Sequence, residues 1–212
     1  MTVLLGSGRE ADVYAHSEGR VLRRYRHGGD AAPEAETMAY VARFDFPVPA
    51  VYEVRGPDLI LEHLHGPTLA TAALAGRLEV VEIAGILAGL HRQLHDVPPR
   101  AGRHPGDRIL HLDLHPENIM LTARGPVVID WRNATEGPPD LDVALSALIL
   151  AQAATEQAYP MIGPVLTAFL RLAGGDPLSI LDRALDLRCR QLGVELADLQ
   201  EAAAYLNRVS RS

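Results

Sequence analysis

The chain has 212 residues, is 48% hydrophobic and carries a formal net charge of −7. That is enough apolar material for a packed core, so disorder is excluded, and the acidic balance argues against broad nucleic-acid binding, which needs basic surface, while permitting a cationic small molecule. The single cysteine, Cys189, excludes an internal disulfide framework and fits a reducing cytoplasm.

At roughly 100–200 residues per domain, the length suits one large domain or two small lobes. Val3-Leu4-Leu5 is too short for a signal peptide, and no apolar run approaches the roughly 20 residues of a membrane span. A cytoplasmic protein with no membrane partner is expected.

Residues 3–62 read as short strands joined by tight turns, with one helix. The run Gly6-Ser7-Gly8-Arg9-Glu10-Ala11-Asp12-Val13 has glycines where a backbone can approach phosphates without a Cβ in the way. It is equally what a plain hairpin turn requires. No Lys-Ser/Thr pair follows, so it is not a Walker A loop, and a strand rather than a helix follows, which makes it a poor dinucleotide fingerprint. Ser17-Glu18-Gly19 is a second hairpin turn. In the strand Arg20–Tyr25, Val21, Arg23 and Tyr25 share one face. Arg23 is either a cation aimed at phosphates or one of two solvated arginines on an edge strand. Pro33 opens a helix from Glu34 to Phe44. Glu34 and Glu36 in its first turn either pair Arg23 or complement the helix dipole. Pro47-Val48-Pro49 is a rigid connector, and two strands, 51–54 and 59–62, flank the turn Arg55-Gly56-Pro57-Asp58. Gly66-Pro67 marks the boundary between a lobe of residues 1–65 and one of residues 66–212.

Helices dominate beyond Leu69. The segment Glu79–His95 carries Ile83, Leu87, Leu90 and Leu94 on one stripe. His91 and His95 are one helical turn apart, but no Glu completes a His-Glu-x-x-His motif and no third ligand is suggested nearby, which argues against zinc. The most informative stretch is His111-Leu112-Asp113-Leu114-His115-Pro116-Glu117-Asn118, followed by a hairpin with strands 119–121 and 126–129 that ends at Asp130. One carboxylate, an amide five residues later and a second carboxylate after an apolar strand make the set a phosphoryl-transfer enzyme needs. The first orients and deprotonates an acceptor hydroxyl, and the other two hold Mg²⁺ on nucleotide phosphates. Asp140-Leu141-Asp142 precedes an apolar helix, 143–154, with one Asp as its N-cap. Segments 160–173, 177–192 and 195–209 follow, with Asp176-Pro177 as a cap followed by Pro at the first helical position and Gly193 as a stop. Glu195, Asp198 and Glu201 read as a solvated face.

The order of these features resembles the protein-kinase-like fold, and more closely the aminoglycoside phosphotransferase and choline kinase group of small-molecule kinases. The resemblance rests on His111–Asn118, Val128-Ile129-Asp130-Trp131, Pro47-Val48-Pro49, Leu61-Glu62-His63-Leu64-His65-Gly66 and Asp140-Leu141-Asp142-Val143-Ala144, and spans residues 4–155. It implies an α+β bilobal fold, with a small β-rich nucleotide lobe and a larger, mainly helical catalytic and substrate lobe. It implies ATP or GTP with Mg²⁺ as cofactors and a small-molecule hydroxyl as acceptor. Carried over by position, Asp113 is the catalytic base, and Asn118 and Asp130 are the metal ligands. Gly6, Ser7, Gly8 and Val13 cover the nucleotide, Arg23 grips its phosphates with Glu34 as the helix acid, and Glu62 and Leu64 meet the purine. His111 and Asp142 brace the catalytic loop. Arg23 stands where the family has a lysine, and arginine's planar fork is not equivalent to lysine's point charge. A non-catalytic nucleotide-binding protein of the same fold is the alternative. The acidic residues Glu136, Asp140, Glu195 and Asp198 favour an amine-bearing acceptor.

Overall fold

The computed structural model describes residues 3–156 and 159–210. The chain divides into two compact units, one of residues 1–67 with 120–134 and one of residues 68–119 with 135–212. Segment 120–134, assigned from sequence to the second lobe, therefore packs with the first.

The first unit is built on a five-stranded antiparallel sheet of order β1-β2-β3-β5-β4. Its strands are β1 (Leu4–Ser7), β2 (Ala11–Ser17), β3 (Arg20–Tyr25), β4 (Val51–Arg55) and β5 (Asp58–Glu62). The order makes β3 the central strand, so Arg23 does not lie on an edge. Helix α1 (Ala32–Ala42), opened by Pro33, packs on β4 and buries Met38 and Val41. After the connector, Gly66 adopts φ +141°, and a Cβ there would overlap the Leu121 carbonyl oxygen. Only glycine permits this crossing, which the Leu121 N–H closes by donating to the Pro67 oxygen at 2.8 Å.

The second unit contains α2 (Leu69–Leu74), α3 (Val80–His95), β6 (Arg108–Leu110), a single 3₁₀ turn at Pro116–Asn118, β9 (Thr135–Gly137), α4 (Pro139–Thr155), α5 (Ile162–Ala173), α6 (Leu181–Leu192) and α7 (Leu196–Val209). Between them in sequence, β7 (Ile119–Thr122) and β8 (Gly125–Val128) form the expected hairpin. Helix α4 is the hub: it packs on α5, α6 and α7, and α3 packs on α5. Its near-continuous apolar sequence follows, because a helix buried on all sides has no polar face to show.

Three local expectations are corrected. Helix α4 starts at Pro139, so Asp140 and Asp142 lie inside its first turn, and neither caps it. The segment from Pro177 splits into a 3₁₀ turn, Pro177–Ile180, and α6, and the Asp176 side chain makes no capping bond. Glu195 is the N-cap of α7 and forms a reciprocal capping box with Asp198, whose carboxylate takes the Glu195 N–H at 3.0 Å. Gly193 does end α6 in the left-handed conformation. Among the described residues, no helix is long and apolar enough to cross a membrane.

Candidate active site

Within the first unit, the sheet presents Val13 directly opposite Arg23 across the β2–β3 pair, which puts both side chains on one face. Gly6 and Ser7 lie in β1, and Gly8 opens the turn to β2, its N–H donating to the Ala11 oxygen at 2.9 Å. The Ser7 hydroxyl donates to Asp12 at 2.8 Å, and Arg26 reaches both residues. Glycine-rich hairpin and sheet edge are thus one object here, and β1 is exposed throughout.

Arg23 is buried and pairs two carboxylates. One terminal nitrogen donates to Glu34 at 2.5 Å and the other to Asp130. Glu34 is also buried and accepts from the Tyr25 hydroxyl and, at 3.0 Å, from the Trp131 N–H. Of the two acids near the start of α1, Glu34 lies in its first turn and meets Arg23, while Glu36 lies beyond that turn and is exposed. Burial works against the Arg23 charge, but Asp130 and Glu34 outweigh it and hold its pKa above the ordinary value. Burial and the Glu34 carboxylate push the Tyr25 hydroxyl up, keeping it a proton donor to Glu34. Asp130 sits at φ +64°, a conformation seldom adopted by residues other than glycine. It directly precedes Trp131, whose indole N–H donates to the Val128 oxygen at 3.0 Å and whose ring meets Phe46 edge-on.

Glu62 and Leu64 lie where β5 leaves the sheet. The Glu62 N–H is spent on the Ala50 oxygen, and its carboxylate is forked by Arg124 at 2.6 and 2.8 Å. Leu64 follows two residues beyond the strand and is half-buried.

Within the second unit, Asp113 is the centre of a network that sequence spacing did not reveal in full. Its N–H donates to His111 Nδ1 at 3.3 Å, and its carbonyl accepts from Asn118 Nδ2 at 2.9 Å. That orientation leaves Oδ1 as the acceptor end of Asn118, the hard oxygen a divalent cation prefers. Arg188, on α6, donates to Asp113 Oδ1 at 3.1 Å, and His115 Nε2 stands 3.8 Å from the same oxygen. Burial raises the Asp113 pKa, but His115, Arg188 and His111 together outweigh it and hold the carboxyl below its usual value. Asp113 is thus ionised at neutral pH.

The backbone entering Asp113 is strained. Leu112 has φ +62°, unusual for a bulky residue, and strain of this kind persists only where the surroundings over-determine it. Here they do. The Leu112 N–H donates to Asp142 Oδ1 at 2.7 Å, the His111 N–H donates to Asp142 Oδ2 at 3.1 Å, and the Leu112 carbonyl accepts from Gln191 Nε2 at 3.1 Å. Arg188 and Gln191 are the site residues missed from the sequence. Both lie on α6, more than 70 residues after Asp113, and only the fold brings them to the loop.

The four acids that favoured an amine-bearing acceptor have local partners. Glu136 accepts N–H bonds from Arg100, Ala101 and Gly102 at 2.8–3.3 Å. Asp140 takes the Asp176 N–H at 3.2 Å. Glu195 and Asp198 cap α7.

The chain matches the model of the phosphotransferase enzyme family over residues 2–109 and 103–163. No curated protein sequence matches it. Among solved structures it is similar to the gentamicin–APH(2'')-IIa complex, at 14% identity and a TM-score of 0.62 over 97% of this chain and 90% of the other. It is similar to a choline/ethanolamine kinase family protein from Mesorhizobium loti, at 15% identity and a TM-score of 0.62 over 100% and 88% of the two chains. It also resembles the ADP-bound aminoglycoside phosphotransferase APH(2'')-Ib, at 13% identity and a TM-score of 0.58 over 97% and 92%. At these identities the structural likeness establishes the kinase-like α+β fold, and the family match, which covers most of the sequence, establishes the lineage: the chain belongs to the phosphotransferase enzyme family.

Proposed function

We propose that the protein transfers the γ-phosphoryl group of ATP or GTP, with Mg²⁺, to a hydroxyl of a small molecule. The observation that carries this reading is Asp113. It is an ionised carboxylate at the end of a strained, over-determined loop, five residues before an asparagine whose amide is oriented by the Asp113 carbonyl. Asp113 accepts the acceptor's hydroxyl proton as the new O–P bond forms and the bond to the leaving diphosphate breaks. Asn118 Oδ1 and the Asp130 carboxylate each offer an oxygen donor of the kind that suits Mg²⁺. The ion, when bound, neutralises phosphate charge. Gly6, Ser7, Gly8 and Val13 cover the nucleotide, Arg23 faces its phosphates with Glu34 as its anchor, and Glu62 and Leu64 meet the purine. The ADP-bound relative supports the nucleotide assignment. Calorimetry with ATP and GTP in the presence of Mg²⁺, followed by turnover across a panel of hydroxylated metabolites and antibiotics, tests the reading. Failure of the wild-type protein to bind either nucleotide would sink it, and undiminished turnover in Asp113→Ala would sink the assigned base.

A second reading, a nucleotide-binding protein with little or no turnover, is favoured by one observation. Both terminal nitrogens of Arg23 are engaged by carboxylates. Arg23→Lys separates the two readings. A marked gain in ATP affinity indicates a site impaired by the arginine, and a loss indicates that Arg23 serves the phosphates.

A further inference from the structure

Away from Asp113, helices α3 and α4 bring three titratable side chains together inside the second unit. His91 Nδ1, His95 Nε2 and an Asp142 carboxylate oxygen all lie within 4.8 Å of one another. His91 Nδ1 is 3.6 Å and His95 Nε2 3.1 Å from Asp142 Oδ2. Asp142 and His91 are buried, and the His95 side chain retains 13% exposure.

Proton bookkeeping makes this cluster unusual. The Ser146 hydroxyl has one proton, which it donates to the Leu114 carbonyl at 2.6 Å. Its contact with His91 Nε2 at 2.9 Å therefore needs the proton on Nε2. In the neutral ring, Nδ1 is then a bare lone pair. This atom is fully buried, has no hydrogen-bond partner, and faces a carboxylate oxygen. Lone pair against carboxylate is repulsive unless a cation lies between them.

The rest of the arrangement is that of a prepared ligand set. His91 has its outer nitrogen fixed by a hydroxyl that is itself fixed by a backbone carbonyl, the kind of support that sets a metal-binding imidazole's tautomer. Oxygen–nitrogen separations of 3.1 and 3.6 Å bracket the edge of a tetrahedron around an ion with bonds of about 2.0–2.1 Å. Two imidazoles and one carboxylate select zinc-like transition ions over Mg²⁺.

We propose that His91 Nδ1, His95 Nε2 and Asp142 Oδ2 bind a zinc-type divalent ion. The third ligand that sequence spacing lacked is Asp142, supplied by α4 from 47 residues beyond His95. Binding moves the His95 proton from Nε2 to Nδ1, so that the ring ligates as a neutral imidazole. The fourth position falls to solvent on the His95 side, the one partly exposed edge. The ion ties α3 to α4 and stiffens the carboxylate that holds the His111 and Leu112 N–H groups, hence the backbone leading to Asp113. The site stands independently of the phosphoryl-transfer reading.

The test is metal analysis of protein purified without chelators or nickel resin, then dialysed against excess Mg²⁺. One Zn²⁺ retained or restored per chain is expected, with visible d–d bands of a tetrahedral ion when Co²⁺ replaces it. His91→Leu abolishes both signals while circular dichroism reports the fold. Ser146→Ala, which leaves all three ligands in place, weakens Zn²⁺ binding about 10–100-fold. Absence of stoichiometric Zn²⁺ and of Co²⁺ bands in the wild-type protein overturns the proposal. So does Zn²⁺ affinity unchanged in both variants, or nitrogen NMR showing a proton on His91 Nδ1 in Zn²⁺-treated protein.

Discussion

Arg23 is the residue whose removal the structure makes most quantitative. Arg23→Met keeps much of the stem's packing and deletes the charge. It leaves Glu34, buried, with the Tyr25 hydroxyl and the Trp131 N–H as the other donors in its recorded hydrogen bonds. Breaking one side of a buried ion pair costs about 3–5 kcal/mol, chiefly because the remaining charge is uncompensated. Two donors remain on Glu34, which places the cost near the lower end, about 3 kcal/mol. Asp130 adds little to this sum, since its side chain is 44% exposed and water replaces the lost partner. Arg23→Lys keeps a charge on Glu34 but cannot fork to a second carboxylate, and is expected to cost about 1 kcal/mol. The double variant Arg23→Met/Glu34→Gln removes both charges and should recover at least about 1 kcal/mol of the single-variant loss, because no ion is stranded. Urea unfolding at neutral pH measures all four proteins, with midpoints compared at constant slope. A cost below about 1 kcal/mol for Arg23→Met, or a double variant less stable than the single, would refute the view that Arg23 compensates a buried Glu34.

Other consequences follow from the same geometry. Arg188→Gln should raise the Asp113 pKa, because it removes one of the cations that outweigh burial. Carbon NMR of the Asp113 carboxyl reads this directly, the acid limb of kcat/KM should move upward with it if Asp113 is the base proposed, and an unmoved titration would show that Arg188 does not act on Asp113. Because the folded Asp113 pKa lies below its unfolded value of about 3.9, its contribution to stability is present above that pH and lost as pH falls through the folded value. Arg188→Gln should therefore flatten the acid side of the stability profile. Gly66→Ala forces a Cβ onto the Leu121 oxygen at a positive φ and should cost about 1–3 kcal/mol, measured by thermal melting. A neutral substitution would mean that the crossing at Gly66 relaxes freely.

The nucleotide-site candidates divided sharply in how visible they were before folding. Asp113 and Asn118 lie five residues apart in one loop, so the chemistry they imply is written locally, and a 3₁₀ turn at Pro116 suffices to bring them together. The residues alone left Glu34 and Glu36 both open as the partner of Arg23, and only the family resemblance pointed to Glu34. Which of them meets Arg23 depends on how the helix is rotated against the sheet. Strands β6 and β9, three residues each, are too short to show an alternation. The acids Glu136, Asp140, Glu195 and Asp198 were only partly legible for a related reason. Sequence shows a charge but not the backbone N–H groups that it satisfies, and all four have such local partners.

Asp142 shows where that limit lies. Read from sequence, one aspartate ahead of an apolar helix is an N-cap, and the family resemblance adds a bracing role. In the fold it is fully buried inside the first turn of α4, with the His111 and Leu112 N–H groups and His95 on its oxygens and His91 beside them. A buried carboxylate is tolerable only where such partners converge, and burial alone would raise its pKa. The His95 contact instead helps hold it well below the ordinary value. The partners come from two helices and a loop separated by tens of residues. No local pattern encodes them jointly, yet the strained Leu112 conformation that aims Asp113 depends on the Asp142 contact to its N–H. The residue that performs the proposed chemistry was therefore legible, while the one that holds it in place became so only when the helices were packed.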